Sequence, residues 1–433
     1  MAKPSRDFRS PVPSFRRRAL QWRGDRGART GAPRHPSPTE QEGPVEKAHS
    51  GSTVHSGLVV DVELATIVKS VVQGRSRPRA SFASLRARSP RRRPSSAVAW
   101  LLATALAAVS FGCRGGGDGG QSARTTPASA PSPGPIDVAS VDDGAPYLVV
   151  LGIAQDGGVP QAGREDHPGW DDPAWRRHVV SVGLVDPRDG GRRYLFEATP
   201  DLPNQLHRLS AHLRPDAQGP VLDGVFLTHG HVGHYTGLLF LGFEVIGARS
   251  VPVHAMPRMI EYLSTNGPWD QLVRYQNVAL QPLADSRPVA LASDLEVTPF
   301  LVPHRQEYTE VVGYRIDGPS RSALFIPDID SFEAFDEWGV RIEDLIERVD
   351  VAYLDGCFWA QGEIPGRDMT EFPHPMIASS LERFAPLPAA ERAKIRFIHL
   401  NHTNPVLDPA GPERARVLEA GFGVAEEGER VGL

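Results

Sequence analysis

Three histidines lie within six residues of one another in the stretch VFLTHGHVGHYTGL, directly after a short apolar segment. His229 and His231 are separated by one residue, so on an extended or turning backbone both side chains can point to the same side. His234 follows three residues later, where a helical pattern begins, and can turn back toward the other two. Imidazole is the common protein ligand for zinc and similar metals. The spacing therefore predicts a metal site at the end of a strand.

Cysteine takes no part in this predicted site. The chain of 433 residues has two cysteines, Cys113 and Cys357, which rules out a disulfide framework and a cysteine-rich zinc module. Any metal must then be held by histidine and carboxylate ligands. The net charge of −5 and the pI near 6.3 argue against a nucleic-acid-binding protein. A small-molecule substrate is expected, and no protein partner can be predicted from the sequence.

The segments that must position these histidines read as an alternation of strands and helices. Apolar runs of four to eight residues, bounded by glycine, proline and aspartate, predict strands. Leucines at helical spacing predict a helix over residues 201–213, with Asp201 at its N-cap. Strand-rich runs with interspersed helices are typical of sheets covered by helices, an α/β (α+β) class. The predicted strands include PYLVVLG, VVSVGLV, RRYLFEA, GVFLT, LEVTPFLV, VVGYRI, SALFIPD, VDVAYLD and IRFIHL.

An ordered set of motifs makes the chain from about residue 146 to 433 resemble the metallo-β-lactamase superfamily. Within it, the chain is similar to the branch that contains pyrroloquinoline quinone biosynthesis protein B. This resemblance implies an αββα four-layer sandwich. The histidine run matches the family's HxHxDH motif, and the other supporting pieces are GIAQDGGVPQAG, EATPDLPNQ, VPHRQEYTEVVGYRI, LFIPDID, AYLDGCFW and IHLNHTNP.

Carried over position by position, the resemblance implies two metal positions that share one carboxylate. Asp328 would bridge both metals, orient the attacking water and accept its proton. Asp330 competes with Asp328 for the bridging role, and His399 competes with His402 for the last ligand. His399 is expected to lie within the strand as a packed residue. The implied ligands are His229, His231 and His304 for the first metal, and His234, Asp328 and His402 for the second.

Gly233 departs from the family motif, which calls for an aspartate at that position. That aspartate would bind the second metal and help to orient the water, and glycine can do neither. We therefore expect one firmly bound zinc ion and a second ion that is weak or absent, with iron or manganese as alternative metals. Gln155 and Asp156 are expected to shape the rim of the pocket or simply to form a turn.

The chemistry implied is hydrolysis by a metal-activated water. A metal with three histidine ligands and an open position lowers the pKa of bound water to about 7. Arg305 is a candidate for contact with an anionic substrate, or else forms a surface salt bridge. Asp355 and His374 are candidates for lining the substrate pocket, or else for capping and turn hydrogen bonds.

Three functions are compatible with this site. The first is a metal-dependent hydrolase acting on an ester, lactone, amide or phosphodiester. The second is a non-hydrolytic protein that binds a metal or a quinone-like ligand. The third is a role connected with pyrroloquinoline quinone biosynthesis, which would require a redox metal such as iron if it were oxidative.

The residues before this domain predict a leader and an export signal. Residues 1–94 are rich in arginine, proline and serine and predict a disordered segment. Residues 95–113 carry an apolar run that is too short for a transmembrane helix of about 20 residues and is typical of a secretory signal. It ends at Cys113, which resembles the lipid-bearing cysteine of a bacterial lipoprotein. Residues 114–145 predict a flexible linker.

Two features are unusual for a lipoprotein signal. Phe111 stands where a small residue is usual, and nearly a hundred residues precede a segment that normally lies close to the start. A translation start downstream of Met1 is one explanation. We expect an exported lipoprotein that faces the periplasm and contacts the membrane only through its lipid, with a cytoplasmic protein as the alternative.

Overall fold

The computed structural model describes residues 144–188, 190–212 and 220–433. The predicted leader, the apolar segment, Cys113 and nearly all of the linker lie outside the described residues. Within these ranges, none of the helices combines the length and the apolar character that crossing a membrane requires.

Two seven-stranded sheets form the centre of the domain. The first has the order β14-β1-β2-β3-β4-β5-β6 and the second has the order β13-β12-β11-β10-β9-β8-β7. The first contains β1 Tyr147–Gly152, β2 Ser181–Asp186, β3 Arg192–Phe196, β4 Gly224–Phe226, β5 Val251–Ala255, β6 Val278–Pro282 and β14 Arg430–Gly432. The second contains β7 Val289–Ala292, β8 Leu295–Leu301, β9 Val312–Asp317, β10 Ser322–Ile326, β11 Val351–Asp355, β12 Ile395–Ile398 and β13 Gly423–Val424.

The two sheets pack face to face through large aromatic side chains. Phe196 of β3 meets Tyr314 of β9 edge-on, with ring centroids 5.4 Å apart, and meets Phe325 of β10 at 6.1 Å. All three side chains are almost fully buried. Side chains alternate along each strand, so one face of a sheet builds this central core while the other face is left for the helices.

Helices cover the outer faces of both sheets. Leu209 of α1 and Met259 of α3 pack with Val225 of β4 on the outside of the first sheet. Phe332 of α5 and Phe384 of α7 meet at 5.3 Å on the second. The αββα four-layer arrangement is therefore confirmed. The helices are α1 Leu202–Ser210, α2 Val232–Tyr235, α3 Pro257–Thr265, α4 Trp269–Arg274, α5 Phe332–Glu337, α6 Ile342–Glu347, α7 Ile377–Phe384, α8 Ala389–Arg392 and α9 Pro412–Glu419.

Asp201 stands at the N-cap position of α1, as the sequence predicts, but its side chain does not cap the helix. Its carboxylate accepts a hydrogen bond from the backbone N–H of Val179, 2.8 Å away, just before β2. The residue therefore ties the start of α1 to the first sheet.

The carboxyl ends of several strands meet at one edge of the sandwich. Strands β10, β11 and β12 are parallel neighbours, so the residues that follow them emerge on the same side. Parallel strands commonly present ligand-binding residues at this end. The residues after β1, β4 and β8 reach the same edge, as the contacts below show.

Candidate metal centre

The loop between β4 and α2 carries the three clustered histidines. His231 takes the extended conformation at the N-cap of α2, which turns the chain at the motif. Gly230 packs directly against Thr309, whose hydroxyl accepts its backbone N–H at 2.9 Å. A Cβ at Gly230 would lie 2.8 Å from Cγ2 of Thr309. Close packing at this point therefore requires glycine and fixes the loop against the segment before β9.

Four side chains form a first donor group at this edge. The donor atoms of His229, His231, His304 and Asp328 all lie within 4.8 Å of one another. Nε2 of His229 is 2.8 Å from Nδ1 of His231, which is 3.3 Å from Nε2 of His304. Ring nitrogens from two separate loops thus converge on one point, in the manner of ligands around a cation.

A second donor group lies beside the first. It consists of Asp156, His234 and His399, whose donor atoms are again within 4.8 Å of one another. Oδ1 of Asp156 is 3.1 Å from Nε2 of His234 and 3.6 Å from Nε2 of His399. This set differs from the predicted one in two of its members.

Asp328 lies between the two groups. Its Oδ2 is 3.3 Å from Nε2 of His229 in the first group and 3.7 Å from Nε2 of His234 in the second. Asp330 is instead placed behind His304, with Oδ1 2.8 Å from Nδ1 of that ring. Of the two candidates for the shared position, Asp328 therefore lies where both groups can reach it, while Asp330 fixes the orientation of His304.

The structure brings His399, and not His402, into the second donor group. His399 is fully buried in the second donor group, whereas His402 is half-buried and belongs to none of the donor groups formed by the described residues. Strand β12 ends at Ile398, and His399 then takes a positive φ of 64°. This left-handed turn ends the strand just before His399, which the sequence predicts to lie inside it. His402 lies three residues after His399, in the next turn.

Asp355 and His374 both reach the centre. Nδ1 of His374 lies 2.8 Å from Oδ2 of Asp355 and 3.3 Å from Oδ1 of Asp328. Asp355 also accepts the backbone N–H groups of Ile329 and Cys357. Asp355 is therefore a rigid acceptor that orients His374 toward Asp328.

Arg305 is not part of the centre. Its side chain is half exposed, and its guanidinium lies 3.5 Å from Oε1 of Glu307. Glu307 itself lies 3.1 Å from Nε2 of His231. The structure thus places Arg305 in a surface salt bridge, which was the alternative interpretation, and reveals Glu307 as the acceptor that orients His231.

Glu197 is a further buried carboxylate that the sequence analysis did not assign. It follows β3, has a positive φ of 73° and is fully buried. It accepts the hydroxyl of Thr228 and lies 3.3 Å from Nδ1 of His234. The one available signal was its place in EATPDLPNQ, where an acidic residue directly follows an apolar strand.

Electrostatics differ between the histidines of the centre. Burial holds the pKa of His229 well below its usual range. Burial alone would also lower the pKa of His234, but Glu197 and Asp156 outweigh it and raise that pKa well above its usual range. Burial would likewise lower the pKa of His304, but Asp328 outweighs it and raises that pKa to about 9. Carboxylates thus outweigh burial at His234 and His304, whereas burial outweighs them at His229.

The residues present fit a bound metal. Oδ1 of Asp328 and both ring nitrogens of His399 are buried and find no hydrogen-bond partner within the described part of the chain. Buried polar atoms of this kind are rare unless an ion or a water satisfies them. Histidine binds metals in its neutral form, which would leave the buried Asp328 and the partly buried Asp156 charged without a counter-charge. A divalent cation would bind the unpartnered polar atoms and would neutralise the charge of the two carboxylates.

Comparisons with known proteins agree with this geometry. The beta-lactamase superfamily domain matches residues 192–399. Coenzyme PQQ synthesis protein B of Xanthomonas axonopodis pv. citri (strain 306) is 29% identical over 315 residues, which cover 66% of this chain and 99% of the relative. The protein of the same description from Ruegeria pomeroyi is 29% identical over 311 residues, with the same shares covered.

One solved structure shares the fold with clear sequence similarity. The crystal structure of Zn²⁺-bound PqqB from Methylobacterium extorquens is 27% identical, with a TM-score of 0.55, and is covered over 100% of its length by 66% of this chain. The four-layer sandwich, the donor groups at its edge and these similarities together show a beta-lactamase superfamily domain over residues 192–399 and a metallo-β-lactamase fold that resembles PqqB.

Proposed function

We propose that the protein is a metal-dependent hydrolase that acts on an ester, lactone, amide or phosphodiester of a small molecule. The observation that carries the proposal is a pair of adjacent histidine–carboxylate groups with Asp328 in the first and 3.7 Å from His234 in the second. Nitrogen and carboxylate donors suit zinc, and a catalytic zinc site would keep one position for water beside its protein ligands.

A substrate can approach from the side of His231. This ring is 16% exposed, whereas the other rings of the two donor groups are almost completely buried. Val232 and Tyr308, which follow His231 and Glu307 in sequence, are 60% and 62% exposed. Exposed apolar side chains of this size beside a polar centre suit the apolar part of a small ligand.

The side chains of the centre divide the work of hydrolysis. A bound divalent cation would supply an activated water and would polarise the scissile group. Asp328, held ionised by the histidines around it, orients that water and accepts its proton. Nδ1 of His374 lies 2.8 Å from Asp355 and 3.3 Å from Asp328, so its N–H donates to Asp355 and faces Asp328, which helps to hold that carboxylate in place. Glu307 and Asp330 keep the rings of His231 and His304 in place.

The experiment is an assay of the zinc-loaded full chain on a panel of generic esters, lactones, amides and phosphodiesters. We expect turnover of at least one class that is abolished by a chelator and by His231→Ala. His402→Ala is the matched control, because it removes a histidine outside the donor groups and should leave turnover unchanged. Metal bound at the centre without turnover of any class would contradict the hydrolase.

A second candidate is a role connected with quinone cofactor synthesis. The observation that favours it is similarity to coenzyme PQQ synthesis protein B along 99% of that relative's length. An oxidative role would need iron or manganese, which the same donors accept, and an external oxidant such as dioxygen. If the protein has a non-hydrolytic role instead, it would bind a quinone without turnover. Metal identity in the protein as purified, together with a quinone-binding titration, separates these possibilities from hydrolysis.

A further inference from the structure

Gly233, at the position where the family motif has an aspartate, lies directly against Asp156. Gly233 is buried in α2, next to the residues that follow β1. A Cβ built on it would lie 2.5 Å from Cα of Asp156, 2.6 Å from its Oδ1 and 2.7 Å from its Cγ. No side chain can stand at position 233 while Asp156 is in this place.

Asp156 brings a carboxylate to the position that Gly233 leaves open. Its Oδ1 lies 3.1 Å from His234 and 3.6 Å from His399, both at Nε2. His399 is fully buried, and neither of its ring nitrogens has a hydrogen-bond partner among the described residues. A buried, unsatisfied imidazole therefore faces this carboxylate, which is the arrangement expected around a cation.

The segment that carries Asp156 is anchored to the segment after β12, which carries His399. Ala154 forms an isolated bridge with Leu400, and the backbone N–H of Gln155 donates to Leu400 at 2.9 Å. The side chain of Asn401 donates to Oε1 of Gln155 at 2.5 Å. Two ligands on neighbouring backbones are thus held in register before any ion binds, and such preorganisation favours binding.

We propose that Asp156 replaces the motif aspartate, and that Asp156, His234 and His399 form a second cation site that shares Oδ2 of Asp328 with the first. The sequence predicts a weak second site because Gly233 replaces the motif aspartate. The motif cannot show that Asp156, 77 residues earlier in the chain, brings a carboxylate to the same place. This inference deepens the proposed function, since it concerns the same centre. It predicts ion binding and does not require turnover.

The test counts ions on the full chain. Protein stripped with a chelator is titrated with Zn²⁺, and bound zinc is measured by mass spectrometry and by competition with a chromophoric chelator. We expect two equivalents for the natural protein. Asp156→Asn keeps the shape but loses the charge, so its second equivalent should bind at least about tenfold more weakly while the first is unchanged. His399→Gln should weaken the same equivalent.

Asp166→Asn is the matched control, because this carboxylate is in the same loop and its side chain is 77% exposed. It should bind two equivalents as the natural protein does. Two unchanged equivalents in both Asp156→Asn and His399→Gln would overturn the proposal, and so would a natural protein that binds one. Circular dichroism confirms that each variant is folded. Loss of the second ion from a protein that hydrolyses nothing would uphold this inference while the proposed hydrolase fails.

Discussion

Replacing Gly233 by alanine tests the crowded contact in α2 without removing any donor. By helix propensity alone, the change should stabilise the protein by about 1 kcal/mol. The new Cβ, however, would meet Cα of Asp156 at 2.5 Å, whereas ordinary contact begins at 3.4 Å. The backbone at Asp156 must then move by about 1 Å, and overpacking of this kind costs about 1–3 kcal/mol. We therefore expect a net loss of stability, of up to about 2 kcal/mol.

The same displacement should be visible in ion binding. Moving Asp156 by that distance breaks its approach to His234, now 3.1 Å, so the second zinc equivalent should weaken at least about tenfold. Urea unfolding of the metal-free protein measures the stability, and zinc titration measures the binding. Gly432→Ala is the control, because a Cβ there meets nothing within 4 Å. A Gly233→Ala protein that is more stable and still binds two ions would refute the reasoning.

Three further predictions concern individual side chains. His399→Ala should remove the second zinc equivalent and His402→Ala should not; equal losses in a metal analysis would contradict the assignment. Asp330→Asn should weaken the first equivalent roughly 10- to 100-fold, measured by chelator competition, because it frees the ring of His304. Burial lowers the pKa of His254 to about 4, so between pH 6.5 and 4 the unfolded chain binds a proton that the folded chain does not. Stability should therefore fall as the pH falls through this range, by at most about 3 kcal/mol. Urea unfolding of His254→Phe should show a smaller fall. Equal dependence of stability on pH in the two proteins would exclude His254 as the cause.

Much of the fold follows from local patterns in the sequence. Apolar runs of strand length, such as VVSVGLV and SALFIPD, predict β2 and β10 because strands buried on both faces read as continuous apolar stretches. The HxH spacing predicts the convergence of His229 and His231, because alternate residues on a turning backbone share a side. His304 and Asp328 follow their strands closely, so the motif order was enough to place them.

The remaining ligands depend on tertiary contacts that no local pattern reports. The sequence predicts His399 inside a strand, because nothing in IRFIHLNH signals the left-handed turn at that residue. Asp156 was interpreted as part of a turn or a pocket rim. Its proposed role depends on the bridge between Ala154 and Leu400, which brings the segment after β1 beside the segment after β12. The glycine at position 233 was the available clue, since a missing side chain beside a metal site leaves space for another residue.

Anomalous diffraction at the zinc edge, from crystals of the full chain grown with Zn²⁺, tests the metal centre most directly. The account predicts two peaks, one on either side of Asp328, with His229, His231 and His304 around the first and Asp156, His234 and His399 around the second. Peaks only at surface histidines, or a second peak bound by His402 in place of His399, would contradict it.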